Sequence, residues 1–380
     1  MTASAPESTA ARDSRKPQTS LGSQAPQAPQ DSPSPRDSPD SQSPRRRFLG
    51  VPLLAVLTVL IALSALAFGR YVVPLNEVVR LLAGQFLPVD RTWTGTEETV
   101  VLDVRLPRVL LSLLVGGGLA LAGAALQGVF RNPLVSPDAL GVASGASFGG
   151  VLAMLLGTGA FGVVGGAFGF GLVALAIVML IGRLGGGNQI LMIVLGGTVT
   201  AAFFSALVSF GKYVADPESE LPSIVFWLLG SLSTATYPKV VTAAVPVLLG
   251  AAVVFALRWR LNVLSLGDED ATALGVPPRL TRGVFLCAVA LMTAGSVAVA
   301  GLVGWVGLVV PHLARLVTGS DHRLLLPAAF LIGGSYLTVI DTLSRTLTAS
   351  EMPLGILTAI IGAPFFIALL ARSRNRMWSP

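Results

Sequence analysis

Uncharged apolar runs dominate the chain, at residues 48–69, 109–130, 139–182, 184–211, 240–257, 283–314, 324–340 and 352–371, and short polar segments between them hold nearly all the charge. The runs are hydrophobic all round rather than along one stripe, so they predict helices in lipid, for which about 20 residues suffice. Residues 139–182, at 44 residues, predict two spans folded at Gly157-Thr158-Gly159. The 32 residues of 283–314 are long for one span and short for two.

Charge decides between them. One crossing would put Arg315, Arg323, Arg372, Arg374 and Arg376 outside, against the tendency of basic residues to remain cytoplasmic. Two crossings, with a turn near Gly301 and a shortened second helix, return them to the cytoplasm. The fold class is then all-α, a polytopic membrane protein of ten transmembrane helices with both termini cytoplasmic. In that topology 18 of 26 Lys and Arg are cytoplasmic, with net charge +8 inside and −2 outside.

Composition agrees. At 53% hydrophobic and 12% charged residues, with a mean hydropathy of +0.74, the 380-residue chain cannot hide its apolar surface from water, since ordinary domains are about 25% charged. The 42 glycines suit close-packed membrane helices, and Gly141, Gly145 and Gly149 predict one such packing face. The single Cys287 excludes a disulfide framework and a thiolate zinc site, and His312 and His322 are the only imidazoles, so no metal ligands are assigned.

Residues 1–47 hold eight Pro and ten Ser and predict a disordered cytoplasmic tail ahead of a permease domain over 48–375. Arg45-Arg46-Arg47-Phe48-Leu49 looks like a twin-arginine signal, but the 22 uncharged residues of 48–69 are long enough to span, which favours a basic anchor before a first helix. Other polar segments are too short for a folded domain, and no Gly-x-x-x-x-Gly-Lys-Ser/Thr loop is present, so the chain carries no ATPase. No span shows a nucleophile–base pair or a deep carboxylate, which argues against a membrane enzyme and an ion-coupled carrier. Asp341 and Arg345, four apart, predict a helical ion pair, and His312 a capping or anchoring side chain. Asp268-Glu269-Asp270 opens a short stretch closed by Gly275, with Ala271 and Leu274 on one face: an extramembrane helix that serves as a connector or seats in a partner's groove.

These features converge on a family. Arg105-Leu106-Pro107-Arg108, Gly123 with Gln127, Arg131-Asn132-Pro133-Leu134, Pro137-x-x-Leu140-Gly141, Trp227 with Gly230-Ser231, Leu266-Gly267-Asp268-x-x-Ala271-x-x-Leu274-Gly275, Gly304-Trp305-Val306-Gly307, Pro311-His312-x-x-Arg315, Glu351-x-Pro353-x-Gly355 and Gly362-Ala363-Pro364 occur in order. The chain resembles, over about residues 48–375, the permease subunits of ABC importers for iron-siderophore complexes, haem and vitamin B12, the type II importer fold. It departs in Trp305, where that family usually has Phe, and in the added leader. The resemblance implies a bacterial plasma-membrane protein that pairs with a second permease subunit, the same chain or a related one. Two cytoplasmic ATPase subunits, carrying ATP and Mg, would lie below, and an extracytoplasmic substrate-binding protein above. No cofactor in this chain and no nucleic acid is expected. It further implies that Leu266, Gly267, Asp268, Ala271, Leu274 and Gly275 couple to the ATPase, and that Arg105, Arg108 and Arg345 receive acidic side chains of the binding protein. Gly197, Thr198, Thr200 and Ser205 of the fifth span, with Gly304, Trp305 and Gly307, are expected along the path or gate. A chelated ligand, first a ferric siderophore, suits a chain with no acidic or cysteine ring for a bare ion.

Overall fold

The computed structural model describes residues 44–184 and 189–377, so the leader expected over 1–47 lies, up to residue 43, outside the described residues. Among them the secondary structure is entirely helical. The elements are α1 Pro44–Ala67, α2 Leu75–Gly84, α3 Gly95–Glu98, a π-helical segment Thr99–Arg105, α4 Leu106–Phe130, a 3-10 turn Pro137–Leu140, α5 Val142–Leu155 and α6 Gly159–Leu184. They continue as α7 Gln189–Val214, α8 Glu220–Leu228, α9 Tyr237–Ala256, α10 Arg258–Leu266, α11 Asp268–Ala273, α12 Pro278–Ala300, α13 Val306–Thr318, α14 His322–Thr346 and α15 Leu354–Met377.

Among the described residues seven helices are long and apolar enough to cross a membrane: α1, α4 with its preceding segments, α6, α7, α9, α12 and α14. Three shorter apolar helices, α5, α13 and α15 over Leu354–Leu369, complete the apolar set. The 14 residues of α5 rise about 21 Å, short of a hydrocarbon core of about 30 Å, so length alone does not make it a span.

Burial sorts these helices. α4 is 83% buried, α12 78% and α14 61%, whereas α1, α6, α7 and α9 are at most 33% buried and turn apolar side chains outward. α4 is the axis, with α9, α12, α13 and α14 packed on it. Its glycines explain the closeness: a Cβ on Gly123 would lie 1.9 Å from the Gly307 carbonyl oxygen, and one on Gly116 2.3 Å from that of Gly333. Such backbone contact replaces the hydrophobic drive that lipid removes.

Of the expected packing face, Gly145 and Gly149 lie against the backbone of Phe170 and Gly166 in α6, whereas Gly141, at φ 71° just before α5, lies against α7 instead. The connection between α5 and α6 turns at Gly157 and Gly159, both at positive φ, as expected. The run 283–314 breaks at Gly301 into a 23-residue and a 13-residue helix.

Candidate functional site

The residues expected for docking and for coupling lie at the two ends of α4. At its N-terminal end Thr94 and Glu97 form a capping box that starts α3. The π segment then changes the register before α4 begins, a device common at functional positions. Arg105, Arg108 and Arg345 all end up buried, 4%, 5% and 8% exposed, rather than displayed on the surface.

Each has internal partners. Arg105 donates to the carbonyls of Leu66 at 2.7 Å, Ala67 at 3.0 Å and Tyr71, closing the end of α1. Arg108 holds two carboxylates: its Nε donates to both oxygens of Asp341, at 2.8 and 2.9 Å, and Nη1 and Nη2 donate to Glu351, each at 2.9 Å. Arg345 donates to the carbonyl of Ala65, and the expected Asp341–Arg345 pair is only a 3.9 Å approach. Burial pushes the Glu351 carboxyl up, but the Arg108 guanidinium, with Arg70 and Arg345 nearby, more than offsets this and holds it below its usual range.

The arginines still line a shared space. A cavity of about 190 Å³ is walled by Arg70, Arg105, Arg108, Arg345 and Glu351, and the Nε of Arg345 has no hydrogen-bond partner. Four guanidiniums and one carboxylate, Glu351, line it, with Asp341 buried on Arg108 behind the wall, an excess of positive charge suited to one more carboxylate.

At the C-terminal end lie the residues expected to couple. α4 ends with Arg131 in the left-handed region, φ 51°, and α11 lies beside it. Gly267 joins α10 to α11 at φ 135°, a backbone that only glycine adopts easily, and Gly275 at φ 77° closes the segment. Asp268 has its partners within the chain. It accepts from the buried Arg282 of α12, Nη1 at 2.8 Å and Nη2 in a second bond, and lies 3.6 Å from Arg131. These hydrogen bonds from Arg282 hold its carboxyl below the usual range. Ala271 is fully buried, whereas Leu266 and Leu274 are 59% and 60% exposed. The segment is therefore stapled to the body by Asp268 and Ala271 and presents two leucines outward.

A second attachment, not assigned from sequence, fixes α10. Asn262 donates to Asp321 at 2.7 Å, and its oxygen accepts from the His322 backbone at 3.0 Å and ring at 2.7 Å. The Asp321-His322 pair before a long helix was the available signal. His312 meets the carbonyl of Leu308, one turn earlier in its own helix α13, at 3.0 Å, so this contact is neither the cap nor the loop anchor expected of it.

The expected path residues divide. Thr198 and Ser205 lie on the exposed face of α7. Gly197, Thr200 and Gly307 do not line a path here: a Cβ on Gly197 would lie 2.2 Å from the Ala139 carbonyl and one on Gly307 2.5 Å from Pro137 Cδ, while Thr200 is 3% exposed against Gly141. The Pro137–Leu140 turn is thus a wedge between α7 and α13. Gly304 has open space around it, and Trp305 sits at φ 70°, a strained position for an aromatic residue, with its Cβ against Gly362 of α15.

Comparison with known proteins follows the same residues. The model of the FecCD transport family matches residues 55–372. The molybdate import system permease protein of Haemophilus influenzae is 42% identical over 322 residues, 85% of this chain and 95% of that one. A Helicobacter pylori permease assigned to iron chelatin transport is 39% identical, covering 85% of this chain and 98% of its own. A solved ABC transporter assigned to the metal-chelate type, in an inward-facing conformation, superposes with a TM-score of 0.76 at 41% identity, over 85% of this chain and 98% of the other. With helices, motifs and relatives in agreement along most of its length, the chain belongs to the FecCD transport family.

Proposed function

We propose that this chain is the membrane permease of an ATP-driven importer. It pairs with a second permease, rests on two cytoplasmic ATPase subunits that hold ATP and Mg, and receives cargo from an extracytoplasmic binding protein. The observation that carries the reading is the segment 266–275, rigidly attached at Asp268 and Ala271 yet exposing Leu266 and Leu274. Such a pair of apolar anchors on a short helix fits a groove on a partner, and the attachment lets a push on the leucines move α4 and α12.

In this reading α5, α13 and α15 join the seven long helices to make ten spans, with both termini cytoplasmic in a bacterial plasma membrane. Residues 1–47 are a cytoplasmic tail. The cargo favoured is an iron-siderophore chelate, supported by the relatives assigned to iron chelatin and metal-chelate transport and by the weakly polar Thr198 and Ser205 on the exposed face of α7. Haem and cobalamin share that chemistry. Molybdate is the second reading, because the relative at 42% identity imports it.

The arginine cavity is proposed to accept one acidic side chain of the binding protein, with Arg70 at its exposed rim. Arg70→Glu should weaken binding-protein association, most strongly at low salt, and unchanged affinity there would remove the docking assignment. Uptake of radiolabelled ferric siderophore, with molybdate as competitor, tests the cargo in vesicles holding permease, ATPase and binding protein. ATP-dependent chelate uptake is expected, and uptake of molybdate alone would overturn the chelate assignment.

A further inference from the structure

We propose that the groove between α6, α9 and α12 is a binding site for an anionic phospholipid. The groove encloses about 570 Å³, and its walls are apolar side chains such as Met179, Val253, Val284 and Leu291. At one end stand Arg183, in the last turn of α6, and Arg279, in the first turn of α12, with Gln189 beside them. Both arginines are exposed, and no ion pair of either is present among the described residues. The Gln189 side-chain oxygen is buried without a hydrogen-bond partner.

The layout matches a lipid rather than a soluble anion. From Arg279 to Leu291 the groove follows α12 for about 18 Å at 1.5 Å per residue, close to the depth of one leaflet of a core of about 30 Å. α6 and α9 turn apolar residues such as Leu180 and Leu249 outward, so the groove adjoins the acyl region. A phosphate would take the two guanidiniums and an acyl chain the apolar wall. Arg279 is three residues from Arg282, the partner of Asp268, so the bound headgroup would lie at the root of the coupling segment. Only the choice of leaflet, the cytoplasmic one, rests on the importer reading. The test involves no transport, so the two fail separately.

Cys287, the chain's one cysteine, lies exposed on the groove wall and serves as the probe. The purified permease in nanodiscs of phosphatidylcholine, with or without phosphatidylglycerol, is labelled with N-ethylmaleimide. Phosphatidylglycerol should slow labelling of Cys287 several-fold, while a control cysteine placed at Leu249 in a Cys287→Ala background should show no such difference. The R183Q/R279Q variant should lose the protection, since two arginines at a membrane surface give an anionic preference of roughly 30-fold. Gly283→Leu should also lose it by filling the groove, at a position where a Cβ meets only Met179 Cε, at 3.5 Å. Equal rates in the two lipids, or protection that survives in either variant, would overturn the proposal. So would equal protection by glycerol phosphate in detergent, which would mark a soluble-anion site.

Discussion

At its N-terminal end α4 buries Arg108 between Asp341 and Glu351, whereas at its C-terminal end Arg131 stays half-exposed beside Asp268, whose main partner, Arg282, is buried. Both ends use a guanidinium and a carboxylate, on Arg108 and beside Arg131, about 35 Å apart along 23 residues. The first network is closed, joining α4 to α14 and to the loop before α15. The second is half open: its carboxylate is 48% exposed, and it holds a segment whose leucines remain free. The same kind of ion pair therefore consolidates the bundle at one end and holds an exposed segment to it at the other, and burial makes the difference.

The largest effect expected is at the closed end. Arg108→Ala leaves the carboxylate of Asp341 buried without its main partner and should destabilise the protein by about 3–5 kcal/mol, read as a fall in the thermal midpoint in detergent. Replacing Arg108 and Asp341 together by leucine should recover much of that loss, and a double variant as unstable as the single one would show that the network is not the cause.

At the half-open end Asp268→Asn should cost less, about 1–2 kcal/mol, because water reaches the carboxylate. Its signature is local: faster amide exchange in α11 and reduced ATP-dependent uptake, with the rest of the bundle unchanged. Leu274→Ala should alter stability by less than about 0.5 kcal/mol, since the side chain is mostly exposed, yet lower uptake as much as Asp268→Asn does. Full uptake in Leu274→Ala would mean that the exposed leucine is not the contact that receives force.

Acidification should give the smallest effect. The unfolded Asp268 carboxyl titrates near 3.8 and the folded one lower, so its stabilisation is complete above the former and fades as pH falls through the latter. Protection of α11 should stay flat from neutral pH to about 5 and decline only below about 4. A decline centred near neutrality would implicate another group.

Much of the helical layout was legible in the chain because uncharged runs, the Gly157–Gly159 turn and the Gly301 break are local signals. So was the α5 packing face, carried by glycines four apart. The arginine network was not, since Arg108 finds Asp341 and Glu351 more than 230 residues away and only the fold brings them together. The motif over 266–275 was visible because it is contiguous, whereas the arginine that holds Asp268 lies 14 residues on, in the next helix. Gly197 and Gly307 show the same limit: a small residue in a span suits a path or a close contact equally, and only the neighbouring backbone decides.

The central claim is that this chain moves cargo only when a partner pushes on the segment 266–275. Solute accumulation against a gradient, measured in liposomes holding the chain alone and in liposomes that also hold the ATPase, binding protein and ATP, tests it most directly. The account predicts accumulation only in the second. Accumulation by the chain alone, driven by an ion gradient, would contradict it.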